Sequence, residues 1–137
     1  MKPSQIYLAM LIIIALIMTT AIAYTASISS ELCIGGSDCT TVQNSKYGSL
    51  LGIKVGVWGM IAFTVLFILY GWAHNSYRRY RIYFTATLIG ALASLAFIAI
   101  QAFMLKQWCS SCLIVDTLMI LIAVLSYREF SALRKYY

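Results

Sequence analysis

Charge is the scarcest property of this 137-residue chain: Asp, Glu, Lys and Arg together supply 10% of it, with four acids against ten bases. An average soluble domain carries about 25% charged residues. Disorder is excluded as well, because disordered segments need high charge and few aromatics, whereas 14% of this chain is aromatic. Proline occurs once and glycine eight times, which excludes collagen-like and linker-rich architectures. What the chain has in abundance is apolar surface, at 62% hydrophobic residues. A water-soluble fold of this size would leave large apolar patches in contact with solvent. The class that remains is an integral membrane protein, with room for about four spans at roughly 20 residues each.

Four apolar runs match that count, at about 6–28, 55–73, 82–105 and 109–127. Each is long enough to cross the hydrocarbon core as a helix, and period-two alternation of the β-barrel kind is absent. The expected fold is an all-α membrane protein, a four-transmembrane-helix bundle forming one membrane domain over 1–137. Lys2 and Ala21-Ile22-Ala23 imitate a cleavable secretory signal, but the apolar run continues past Ala23, so the first run reads as a retained span. With four spans, Lys2, Arg78, Arg79, Arg81, Arg128, Arg134 and Lys135 share one side, and Lys46, Lys54 and Lys106 the other. Seven against three places both termini in the cytoplasm of a multi-pass cell-membrane protein. The basic residues flank spans and form no stripe, so they are not a nucleic-acid surface.

The connections are unequal. Residues 29–54 form one long outer loop, in which Gly35-Gly36 marks a turn. Asp38 or Thr40 suits the cap of a short helix through Thr41 to Lys46, with Gly48 as its stop and Leu50, Leu51 and Ile53 making the piece amphipathic. The four cysteines all fall on the outer side, the compartment where disulfides persist. Cys33 and Cys39 lie in the long loop, and Cys109 and Cys112 form a C-x-x-C where the fourth helix begins. A helix N-terminus carries unpaired N–H groups and a positive dipole end, which favour the reactive thiolate. Residues three apart share a helical face, so Cys109 and Cys112 can pair. Two inert structural disulfides, a Cys₄ zinc site and a thiol–disulfide relay are the readings open to four such cysteines, and a small transporter is a rival from another class. The relay gives each pair a task, one for a soluble partner and one at the membrane surface for a lipid-soluble electron carrier.

The order of these features carries a resemblance. A loop cysteine pair, then Cys39 to Ile53 as CTTVQNSKYGSLLGI, then Gly59, then a C-x-x-C opening the fourth helix, is similar to the vitamin K epoxide reductase family, and within it to the microbial disulfide-forming homologues. The resemblance implies a quinone-coupled thiol–disulfide oxidoreductase, with ubiquinone, menaquinone or a related quinone as acceptor and no metal. It implies that Cys112 is the cysteine nearest the quinone, Cys109 its partner, Cys39 the inner and Cys33 the outer loop cysteine, and Ser45 a hydroxyl near the quinone pocket. The redox partner implied is a separate thioredoxin-like protein with its own C-x-x-C, since no fused thioredoxin-like domain is expected within 1–137. Gly52-Ile53-Lys54 replaces the family's frequent Gly-Ile-Pro, and Asp116 stands where animal members carry a tyrosine. Those departures favour quinone reduction over epoxide reduction.

Spacing predicts the pocket. Asp116 is the one acid inside a span, where a charge costs about 2.5–3.5 kcal/mol on insertion scales. It falls seven residues after Cys109 and four after Cys112, on their face. Asp116 is read either as a hydrogen-bonding and proton-transferring group or as a packing bond between helices. Phe97, Gln101 and Leu105 repeat every four residues and lead toward the cysteines. With Trp58 and Phe63 they are the expected quinone-binding set, apolar and aromatic with few polar groups.

Overall fold

The computed structural model describes residues 3–28, 46, 49–73, 76–106 and 108–135. Helix α1 spans Pro3–Ile28, a two-stranded hairpin pairs β1 (Ser49–Leu50) with β2 (Ile53–Lys54), and α2 spans Val55–Ala73. Helix α3 spans Tyr77–Ala99 and runs on into a π-helical turn at Ile100–Leu105, and α4 spans Ser110–Arg134. Three stretches, Gln5–Tyr24, Val55–Ala73 and Tyr77–Leu105, are long and apolar enough to cross a membrane, and α4 is a further long helix. The described chain is thus an all-α membrane protein with one short hairpin.

Local chemistry explains these helices. Pro3 opens α1 at a first-turn position, where its missing N–H costs nothing. In lipid every backbone group must be satisfied within the segment, which long uninterrupted helices achieve. Embedded hydroxyls follow the same rule by bonding back along their own helix: Thr19 to the Ala15 carbonyl at 2.9 Å, Thr64 to Met60 at 2.8 Å and Thr117 to Leu113 at 2.7 Å. The outward faces are apolar; Ile17, Ile68 and Ile89 are each more than 60% exposed. A helix apolar all round belongs in a core or a bilayer, and these side chains face outward.

The four helices pack in a ring: α1 on α2, α2 on α3, α3 on α4, and α4 back on α1. Leu8, Ile12, Phe63, Leu66, Met119 and Ile122 form the apolar centre. Since lipid tails are as apolar as leucine, hydrophobicity does not hold such helices together; close packing and polar contacts do. Both occur at the end of the bundle away from Cys109. Tyr70 donates to the Gln5 carbonyl at 2.9 Å, Tyr80 to the Ser126 carbonyl at 3.4 Å, and the Ser126 and Tyr83 hydroxyls bond at 3.2 Å. The Tyr83 ring lies 5.4 Å from the rings of both Tyr70 and Tyr80, and Phe84 stacks on Phe130 at 4.9 Å. All four helices are tied there.

The elements differ from the sequence reading in three places. Leu50, Leu51 and Ile53 lie on no helical face: Ser49 pairs with Lys54 and Leu50 with Ile53 across a two-residue turn. Leu51 (φ 57°) and Gly52 (φ 79°) both take positive φ, the conformation that closes a tight hairpin. The short helix expected over 41–46 lies outside the described residues, apart from Lys46 in a turn. Helix α3 starts at Tyr77, ahead of its apolar run, and α4 continues to Arg134, past Tyr127. Their ends are stitched by aromatic stacking, Tyr77 on Phe130 at 5.6 Å.

Candidate functional site

Helix α3 does not end as an α-helix. Its last turn widens into the π form, and Lys106 then takes a left-handed conformation (φ 50°, ψ 28°) that turns the chain. Cys109 comes next as the N-cap of α4, extended at φ −92° and ψ 107°. Its thiol takes the place of the usual capping hydroxyl: Cys109 Sγ accepts the Cys112 N–H at 3.4 Å. The same geometry brings Cys112 Sγ to 2.7 Å from Cys109 Sγ, and neither sulfur is in a disulfide. Cys109 is fully buried and Cys112 partly so. The pair is therefore asymmetric, with Cys109 fixed behind and Cys112 in front.

In front of Cys112 lies a cavity of about 570 Å³. Trp58 and Phe63 line it from α2, Phe97 from α3, Gln101 and Leu105 from the π turn, and Cys112 and Asp116 from α4. The structure thus brings together all seven of these residues around one space. Cys109 stands just behind that wall. Asp116 lies about 10 Å along α4 from Cys109, at 1.5 Å per residue. Cys33, Cys39 and Ser45 lie outside the described residues.

Ser94, Gly56 and Gly90 in the wall were not singled out from the sequence, and Gly59 was noted only for the resemblance it carries. Ser94 on α3 stands near the Asp116 carboxyl across the α3–α4 contact, and both line the cavity. It sits three residues before Phe97 and seven before Gln101, so the same spacing argument would have found it. Gly56 and Gly59 let α2 approach α1: a Cβ at Gly59 would stand 3.4 Å from the Thr19 methyl, and one at Gly56 3.6 Å from Ile22. Two small residues one turn apart are the usual means of such an approach in membranes. Gly90 on α3 leaves space that the Met119 side chain fills from α4.

Gln101 occupies a more specific place than pocket lining. It is only 4% exposed, and its Oε1 accepts the Cys109 backbone N–H at 3.2 Å. It lies in the π turn and is turned inward, while its neighbours Phe103 and Met104 are 80% and 60% exposed. Among the described residues no three His, Cys, Asp or Glu side chains converge on a metal position. The site is a dithiol opening onto a largely apolar space whose polar lining is Asp116, Gln101, Lys54, Ser94 and Thr19.

The family comparison agrees with that chemistry. The vitamin K epoxide reductase family model matches residues 6–127, which include α2, α3, the hairpin, the cysteine turn and most of α1 and α4. No curated protein matches the chain significantly. The match spans most of the sequence, and the chain belongs to the vitamin K epoxide reductase family, a family of membrane oxidoreductases.

Proposed function

From that membership we propose that this chain is a quinone-coupled thiol–disulfide oxidoreductase supporting disulfide bond formation. The observation that carries the reading is the contact of Cys109 and Cys112, sulfurs 2.7 Å apart, at the wall of an apolar cavity of about 570 Å³. That volume and lining suit a small planar ring with two polar ends, the usual pattern of a largely apolar site with few orienting groups. When bound, a quinone accepts two electrons and two protons, the number the Cys109–Cys112 dithiol releases as its disulfide forms. Cys112 faces the cavity and is the thiol in contact with the acceptor; Cys109 closes the disulfide from behind. Asp116 holds a proton at its carboxyl, and Gln101 offers amide N–H groups. Trp58, Phe63, Phe97 and Leu105 hold the ring and exclude water.

The finer architecture belongs to the same proposal. Helix α4 is the fourth span, both termini are cytoplasmic, and the cysteines face outward; the support is the division of lysines and arginines, seven against three. Cys33 and Cys39 form the loop pair that takes electrons from a separate thioredoxin-like protein and passes them to Cys109–Cys112 by disulfide exchange. Ser45 lies near the quinone in this reading.

The test is reduction of a short-chain quinone by the purified protein in lipid nanodiscs, with dithiothreitol as donor. The parent protein should turn over and Cys112→Ala should be inactive. Activity surviving in Cys112→Ala overturns the assignment, as does an inactive, fully oxidised parent whose two bridges resist dithiothreitol.

A further inference from the structure

We infer that Gln101 is a positioning residue that couples the contents of the cavity to the backbone of the cysteine pair. The inference rests on the proposed function and assigns that site a part it lacks. Its basis is that one buried side chain has two ends in two places. The Cys109 N–H can only donate, so the atom of Gln101 that meets it at 3.2 Å is the carbonyl oxygen. The amide nitrogen, with two donors, is therefore the other end. Among the described residues no acceptor meets it, and Gln101 lines the cavity. A buried carboxamide with one end bonded and the other open to an apolar space is waiting for an acceptor there.

The bonded end matters because of the residue it holds. The Cys109 N–H belongs to the residue whose Sγ caps α4 through the Cys112 N–H and touches Cys112 Sγ. Gln101 thus fixes the backbone from which the buried thiol projects. The open end chooses the ligand: a carbonyl oxygen accepts from Nε2, and a hydrocarbon does not. When Nε2 donates, the amide polarises, and its oxygen becomes a stronger acceptor for the Cys109 N–H. A ligand bearing a carbonyl therefore stiffens the cysteine turn, and an apolar ligand of the same shape leaves it unchanged. Gln101 sits in the π turn, on the inward face that Ser94 and Phe97 also share. Such turns recur at functional sites.

Two variants separate the ends. Gln101→Glu, assayed beside the parent at a pH high enough to ionise the new carboxyl, keeps an oxygen for the Cys109 N–H and has no donor; Gln101→Met keeps the length and loses both. Two readouts are taken on each: kcat and KM for a short-chain quinone with dithiothreitol, and the alkylation rate of the reduced Cys109–Cys112 pair without quinone. Gln101→Glu should raise KM for quinone about tenfold, one hydrogen bond's worth, while alkylation stays at the parental rate. Gln101→Met should raise KM similarly, lower kcat, and change the alkylation rate severalfold. If Gln101→Met does not fold, Gln101→Glu decides alone through its split between KM and alkylation. Parental KM in Gln101→Glu overturns the coupling and leaves Gln101 a backbone anchor, with the oxidoreductase reading intact. A parent protein that reduces no quinone overturns both.

Discussion

At the scale of the residue, polar groups in an apolar chain are the informative ones. Asp116 is partly buried on α4 near the Ser94 hydroxyl, at the wall of the cavity that Cys112 also lines. A packing bond between such groups is worth about 0.6 kcal/mol on average in membrane helices, too little to explain an acid inside a span. If the carboxyl moves a proton during quinone reduction, removing that proton should cost much more. Asp116→Asn is expected to fold, to keep the size and hydrogen-bonding capacity of the side chain, and to slow quinone reduction by about 10²-fold, the lower range for a general acid. Its rate should also lose the part of the pH dependence that the carboxyl supplies. Stopped-flow reduction of a short-chain quinone across pH checks both, and a parental rate and pH profile would leave the residue a packing group. Such residues were legible in the sequence for the same reason that they matter. Asp116, Gln101 and the cysteines are costly or reactive in lipid, so each stands out against a background of Leu, Ile and Ala. Ser94 did not stand out, because serine is a common small residue between membrane helices.

At the scale of the element, the helices were legible and their irregularities were not. Four apolar runs foretold helices, because length and hydropathy suffice when the backbone must satisfy itself. The π turn at Ile100–Leu105 leaves no trace in composition, since one extra residue in a turn needs no special side chain. The hairpin at 49–54 was hidden by Leu50, Leu51 and Ile53, an apolar group that also suits a helix face. Its one signal was Gly52, which takes the positive φ that a bulky residue such as Leu51 seldom adopts. The α3–α4 contact offers a test of how tightly an element shapes the site. A methyl at Gly90 would fall on the terminal methyl of Met119, and both residues line the cavity. Methionine is flexible enough to move, and alanine favours helix over glycine by about 1 kcal/mol, so folding should be little affected. The displaced thioether enters the cavity instead. Gly90→Ala should therefore keep its melting temperature within a few degrees while KM for quinone rises about tenfold, the effect of one misplaced methylene in an apolar pocket. Adding Met119→Ala should restore KM; failure to do so would separate Gly90 from the cavity.

At the scale of the whole molecule, the two ends of the bundle are built differently. The end with Tyr70, Tyr80, Tyr83 and Ser126 joins all four helices through hydroxyls and stacked rings. The end with Cys109 is open to a cavity, and there the Gln101 carboxamide bonds the Cys109 backbone across the turn. A relay needs this division, because one end must stay assembled while the other exchanges disulfides with a partner. Cys109 is fully buried, so a folded protein cannot attack it directly, whereas a small thiol can reach the partly exposed Cys112. Under the proposed relay, the loop cysteines Cys33 and Cys39 are expected to be required only when the donor is a protein. Cys33→Ala and Cys39→Ala should each retain most quinone reduction with dithiothreitol and lose it with a reduced thioredoxin-like protein. The exchange has to pass through one disulfide between the pairs. Removing the resolving thiol with Cys112→Ser should trap that species as Cys39 joined to Cys109, identified by peptide mapping under non-reducing conditions. Cys33 joined to Cys109 would reverse the order of the loop cysteines. Equal loss of activity with both donors in Cys33→Ala would show that the loop pair supports the site itself and does not merely feed it.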